Sequence, residues 1–271
     1  MVLDVDGTLT GSDRQISDVT REAIIGAQQR GKTIAIASGR SIAGIRSIAS
    51  RISLEEYGGY VIAYNGTTVV NCKTGECIFN QVVPGDMVQP VYDAARELSV
   101  GIMAYNDSAK ELIVAGGVTS YVQADAEACQ VSIREVENFT KEIHAPINKI
   151  FVSGEPDHMK EVERIMQERF GSQLNVFRSD PYYVELLPKY IDKGIAVDKL
   201  AKHLDVSKDR VICVGDSYND LPMLRYAGMG VAMGNASKEI REQADYVTGT
   251  NDEDGIVTLI EKFMTAKEEE E

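Results

Sequence analysis

Strand-like and helix-like segments alternate through the first and last thirds of the chain, and that alternation breaks down in the middle. The β-branched run 33–38 follows the segment 17–31, where Thr20, Ala23, Ile24 and Ala27 keep helical spacing and Gly31 marks the stop. A second helical stretch, apolar at Ile42, Ile45, Ile48 and Ile52, precedes the strand-like run 60–66. The last third repeats the rhythm, with a helix at 193–204 and strands at 210–216, 229–233 and 245–249. Helices at 218–228 and 236–244 separate those strands, and a final helix starts near Glu253. Such alternation predicts an α/β fold, a doubly wound parallel sheet with helices on both faces.

The middle reads differently. One helix over 84–99 and strands at 100–106 and 110–115 lead into alternating elements, and a helix with two strands, 173–179 and 182–188, closes the region. Adjacent strand pairs of this kind predict antiparallel hairpins, hence a separate α+β module inserted into the first. The crossings fall near 80–84 and 186–190, each marked by a proline. The expected division is a discontinuous core, 1–81 plus 189–271, and an insert at 82–188.

Composition narrows the function classes. A formal charge of −14 argues against nucleic acid and anionic membrane partners, both of which attract positive faces. No apolar run reaches the roughly 18 residues of a membrane span. The first strand begins at once, which argues against a signal peptide. Four cysteines and three histidines, mostly scattered, fit a reducing cytoplasm. Cys72 and Cys77 flank a predicted Thr74-Gly75 hairpin turn, and with no further ligand close in sequence they read as ordinary hairpin residues.

In an open parallel sheet, ligands collect beyond the carboxyl ends of the strands. Asp4 and Asp6 follow the first strand, Ser38-Gly39-Arg40 the second, and Asp216, Asn219 and Asp220 the strand at 210–216. Four carboxylates converging there would repel unless a cation were present. An all-oxygen carboxylate site suits Mg2+, and a bound Mg2+ attracts phosphate. Ser38 with the amides after it can cradle phosphate oxygens, and Lys193 at a helix start supplies fixed positive charge.

The segments DVDGT (4–8), SGR (38–40), KG (193–194) and GDSYND (215–220) together resemble the four motifs of the haloacid dehalogenase superfamily in its phosphatase branch. The insert, in the order αββ(αβαβ)αββ, resembles the type IIB cap of the Cof-type subfamily. The resemblance covers nearly the whole chain. It implies a Rossmann-like core and a Mg2+-dependent phosphatase for small phosphate esters, sugar phosphates foremost. Asp4 would be the nucleophile and Asp6 the general acid and base. Asp4, Asp6 through its backbone carbonyl, and Asp216 would bind the metal. The Val5 amide, Ser38, Gly39, Lys193 and Asn219 would hold the phosphate, with Asp220, Thr8 and Arg40 in support. A cytoplasmic monomer or weak homo-oligomer is expected.

Other features read blandly. The glycines of 228–236 have the wrong spacing for a dinucleotide loop. Glu185 either reaches the cleft from the boundary of the insert or, as the simpler expectation, faces solvent from a strand, and Asn65-Gly66 is either a plain turn or a loop beside the site. Tyr105, Asn106, Tyr182 and Tyr183 are candidates for contacting the leaving group, with ordinary packing inside the insert as the alternative. The acidic run ending the chain reads as a solvated tail. Two competing functions remain, a phosphomutase and a non-catalytic phosphate-binding module.

Overall fold

The computed structural model describes residues 1–106, 110–144 and 146–264. The terminal acidic run lies outside the described residues. The chain forms two units: Met1–Gly39, Ile45–Phe79 and Asp192 onward in one, and Arg40–Gly44 with Asn80–Ile191 in the other.

Strands of the first unit are β1 (Val2–Leu3), β2 (Ala35–Ala37), β3 (Tyr60–Ala63), β4 (Thr68–Asn71) and β5 (Cys77–Asn80). Those of the second unit are β6 (Gly101–Asn106), β7 (Glu111–Ala115), β8 (Ser132–Glu135), β9 (Ile150–Ser153), β10 (Leu174–Asp180) and β11 (Tyr183–Pro188). The first unit resumes with β12 (Ile212–Gly215), β13 (Met229–Ala232) and β14 (Tyr246–Val247).

The first unit's sheet runs β14-β13-β12-β1-β2-β3-β4-β5. From β14 to β3 every pairing is parallel, and the β3–β4 pairing is antiparallel. The expected parallel sheet therefore carries an antiparallel extension, because the Asn65-Gly66 and Thr74-Gly75 turns are too short for a crossover. The central strands β1, β2 and β3 are buried on both faces, which explains their unbroken apolar runs. Ala35 and Ala37 join a core cluster with Ala196, Val197 and Leu200 of the helix Lys193–His203, and with Met223 and Leu224 of the helix Leu221–Tyr226. Ile36, between the two alanines and equally buried, points to the opposite face. The helix Asp18–Gln29 packs on Gly255–Phe263, and Ser17 caps the former by accepting from the Thr20 amide at 3.0 Å.

The second unit has a sheet in the order β10-β11-β9-β6-β7-β8, antiparallel except between β7 and β8. One face carries Ile102, Ala104, Ile150, Val152, Val184 and Leu186, packed on the helices Gly85–Glu97 and Pro156–Phe170. With the helices Ser120–Cys129 and Phe139–Glu142, the element order is αββαβαβαββ. Glu185 does not face solvent: it is buried and its Oε1 accepts from Lys149 Nζ at 3.0 Å. Its partner immediately precedes β9, the neighbouring strand, so the sequence around Glu185 carried no sign of it. Among the described residues no helix is long and apolar enough to cross a membrane.

Candidate active site

Asp4, Ser38 and Asp216 occupy the first positions beyond β1, β2 and β12, three adjacent strands of the parallel sheet. The ladder continues into these residues. The Asp4 amide donates to the Val214 carbonyl and the Ser38 amide to that of Ile62, each at 2.9 Å. The strand ends, held by the core, thus fix the backbone of the polar residues that follow.

Carboxylate oxygens of Asp4, Asp216 and Asp220 lie within 4.8 Å of one another. Asp6 stands outside this cluster with an exposed side chain, so three of the four carboxylates converge. Gly7 turns the chain away at φ +82°, and a Cβ there would come within 2.6 Å of the Asp216 carboxylate. Only glycine satisfies both conditions. Thr8, next in the turn, donates its hydroxyl to Asp216 Oδ1 at 2.8 Å.

Lys193 is the first residue of its helix, whose cap Asp192 accepts from the Ile195 amide at 2.8 Å. Its ammonium is fully buried and lies 2.6 Å from both Asp4 Oδ1 and Asp220 Oδ1. The second Asp220 oxygen accepts from the Asp216 and Ser217 amides at 3.0 and 2.9 Å. Asp220 therefore orients the lysine and closes the turn bearing Asp216.

The electrostatics follow from this crowding. Burial, then the charge of Asp220, pushes the Asp4 carboxyl well above its ordinary pKa, with Lys193 pulling the other way. Asp216 is raised chiefly by burial, against the hydrogen bond from Thr8. Burial alone would lower Lys193, but Asp220 and Asp4 outweigh it and hold the ammonium charged. Three carboxylates against one ammonium leave excess negative charge in an all-oxygen donor set, which fits Mg2+.

Asn65 belongs beside these residues. Tyr64, Asn65 and Gly66 all have positive φ, at 51°, 55° and 106°. Such a run in non-glycine residues persists only where its surroundings enforce it. A Cβ on Gly66 would come 2.3 Å from the Asp192 carbonyl, so the strained turn rests on the start of the Lys193 helix. The Asn65 amide nitrogen donates to the Ser38 carbonyl, and its side-chain oxygen accepts from Asn219 Nδ2 at 3.0 Å. Asn65-Gly66 thus meets both readings, being the turn of the β3–β4 hairpin and also contacting Ser38 and Asn219. Arg40 groups with the other unit, where its charge acts on Asp125 and Cys129.

Sequence reasoning missed Asn235 and Asn251. Asn235 Nδ2 donates to the Gly7 carbonyl at 2.8 Å, and Asn251 Nδ2 to the Thr10 carbonyl at 3.0 Å. Both follow the ends of strands, β13 and β14, which was the one available signal.

Residues 1–260 match the family description of the haloacid dehalogenase-like hydrolases. A haloacid dehalogenase-like hydrolase from Bacteroides thetaiotaomicron is 38% identical, with a TM-score of 0.92 over 96% of this chain and 97% of its own. The HAD subclass IIB sugar phosphatase BT4131 is 25% identical, with a TM-score of 0.81 over 97% of each chain. The HMP-PP phosphatase of Cronobacter sakazakii is 28% identical over 240 residues, 88% of this chain and 84% of its own. Family match, sheet order and the order of the four motifs agree, and the chain belongs to the haloacid dehalogenase-like hydrolases, in their Cof-type phosphatase branch.

Proposed function

We propose that this phosphatase is Mg2+-dependent, hydrolyses small phosphorylated metabolites, sugar phosphates foremost, and works through a phosphoryl group carried on Asp4. The observation that carries the reading is the buried Lys193 ammonium, 2.6 Å from both Asp4 and Asp220. A fixed cation touching the nucleophile lets a carboxylate approach a phosphate dianion that would otherwise repel it.

In the first half-reaction an Asp4 carboxylate oxygen attacks phosphorus, the ester P–O bond breaks, and Asp6 gives a proton to the departing oxygen. In the second, the Asp6 carboxylate takes a proton from water as the water oxygen bonds to phosphorus. The P–O bond to Asp4 then breaks, which frees inorganic phosphate and restores both aspartates. Val5, Ser38, Gly39, Lys193 and Asn219 hold the phosphoryl oxygens, and Asn65 orients Asn219. Asp4, Asp216 and the Asp6 carbonyl would hold Mg2+, which supplies neutralisation of the phosphoryl charge when bound.

The core groups handle only the phosphoryl end, so the insert, 82–188, selects the leaving group. Tyr105 and Tyr183 are buried and their hydroxyls are engaged by Asp125 and by the Tyr121 carbonyl. Asn106 and Tyr182 are half-buried and are the better placed of the four to meet a ligand. Four free cysteines are in keeping with a reducing cytoplasm. A panel of phosphate esters assayed with Mg2+ tests the reading. Inorganic phosphate should appear without a bisphosphate activator, whereas a phosphomutase would require one and release none.

A further inference from the structure

We propose that Asn235, braced by Asn251, is a positioning residue for the proton-transferring carboxylate of Asp6. The inference rests on Asp6 being the acid and base of the reaction proposed above.

The Asp6 side chain is exposed, and the turn that carries it sets where its backbone stands. That turn closes around one atom, the Val5 carbonyl oxygen. It accepts from the Leu9 amide at 3.0 Å, the Thr10 amide at 2.9 Å and the Thr10 hydroxyl at 3.0 Å. The outer side of the turn is gripped at two points. Asn235 donates to the Gly7 carbonyl, one residue after Asp6, and Asn251 donates to the Thr10 carbonyl. The two clamps are joined, because the Asn251 amide nitrogen donates to Asn235 Oδ1 at 3.0 Å.

Asn251 opens a short helical turn, Asn251–Glu253, capped reciprocally by Thr250 and Glu253. The first amides of such a turn lack partners within it, and that of Asn251 finds Asn235. Its neighbour Asp252 adds a third tie, accepting from the Ser12 amide at 2.7 Å and hydroxyl at 2.6 Å.

The brace has a direction and a selectivity. Holding Asn235 by its oxygen leaves its nitrogen toward Gly7, and the asparagine side chain carries its acceptor and its donor on separate atoms, one for each contact. Asp4 is fixed separately by the β1–β12 ladder. Loosening the brace should therefore impair proton transfer and spare nucleophilic attack, since general acid catalysis needs hydrogen-bond geometry at the departing oxygen.

The test compares kcat/KM for p-nitrophenyl phosphate, whose leaving group needs no proton, with that for an alkyl phosphate such as β-glycerol phosphate, whose leaving group does. kcat/KM covers the steps through leaving-group departure and excludes hydrolysis of the aspartyl phosphate. Asn235→Ala should lose about tenfold or more on the alkyl ester and less than about threefold on the nitrophenyl ester, part of the full contribution of a general acid. Asn235→Asp keeps the acceptor for Asn251, loses the donor to Gly7 and should show the same bias. Asp6→Asn is the reference and should show a larger one. Equal losses on both esters, or none, in the Asn235 variants would overturn the positioning role while Asp6→Asn stays biased. An unbiased Asp6→Asn would instead overturn the acid–base reading and this inference with it.

Discussion

Lys193 and Asp220 form an ion pair 2.6 Å long in which neither side chain is exposed to solvent. Breaking a buried pair from one side strands the other charge, at about 3–5 kcal/mol. Asp220 also accepts two backbone amides, so its charge and its shape can be tested apart. Asp220→Asn keeps an oxygen for the amides and should lose less stability than Asp220→Ala, while both lower activity by loosening Lys193. Urea unfolding measures the difference. Equal destabilisation would mean that the amide contacts contribute nothing.

Asp216→Ala should weaken Mg2+ binding, read by calorimetric titration. Without metal the same variant should lose little stability, because removing one of three crowded carboxylates relieves repulsion. Unchanged Mg2+ affinity would remove Asp216 from the ligand set.

Asp125 gives a pH dependence of known sign. Burial raises its pKa above the ordinary carboxylate value, with Lys149 opposing. The folded protein then holds this proton more tightly than the unfolded chain. Stability falls as pH rises from the unfolded value, about 3.9, through the raised folded one. Tyr105 and Cys129 beside it are shifted further up and Lys149 is held charged, so none of them titrates in that window. Asp125→Asn cannot ionise. The stability of the variant relative to wild type should therefore rise as pH increases from about 4 through the raised folded value. A difference independent of pH would contradict the assignment.

Selection of the leaving group by the insert can be read from substrate ranking. Asn106→Ala and Tyr182→Ala should reorder a series of sugar and polyol phosphates and leave p-nitrophenyl phosphate turnover within about threefold, since neither residue acts on the phosphoryl group. An unchanged ranking in both variants would place selectivity in the core loops.

What the sequence made legible had local causes. Ala35–Ala37 and Ile212–Gly215 are short apolar runs that only a strand buried on both faces accommodates, and Asp4 and Asp216 stand where such strands end. The misses involve distant partners or competing local bonds. The helix expected at 218–228 is split, because Ser217 and Asp220 cap each other reciprocally and make a separate turn of Tyr218–Asp220. The helix expected at 236–244 shortens to Lys238–Arg241, and Leu54–Tyr57, entered from Ser53 at φ 56°, was not foreseen. Asn235 finds the Gly7 carbonyl 228 residues away, a pairing that no local pattern encodes.

The central claim is that phosphorus bonds to Asp4, and turnover by purified Asp4→Asn tests it most directly. The amide matches the carboxylate in shape and cannot attack phosphorus, so a folded variant, checked by circular dichroism, should lose several orders of magnitude in kcat. Retention of more than about a hundredth of wild-type activity would contradict the account, because loss of a covalent nucleophile leaves no such residue.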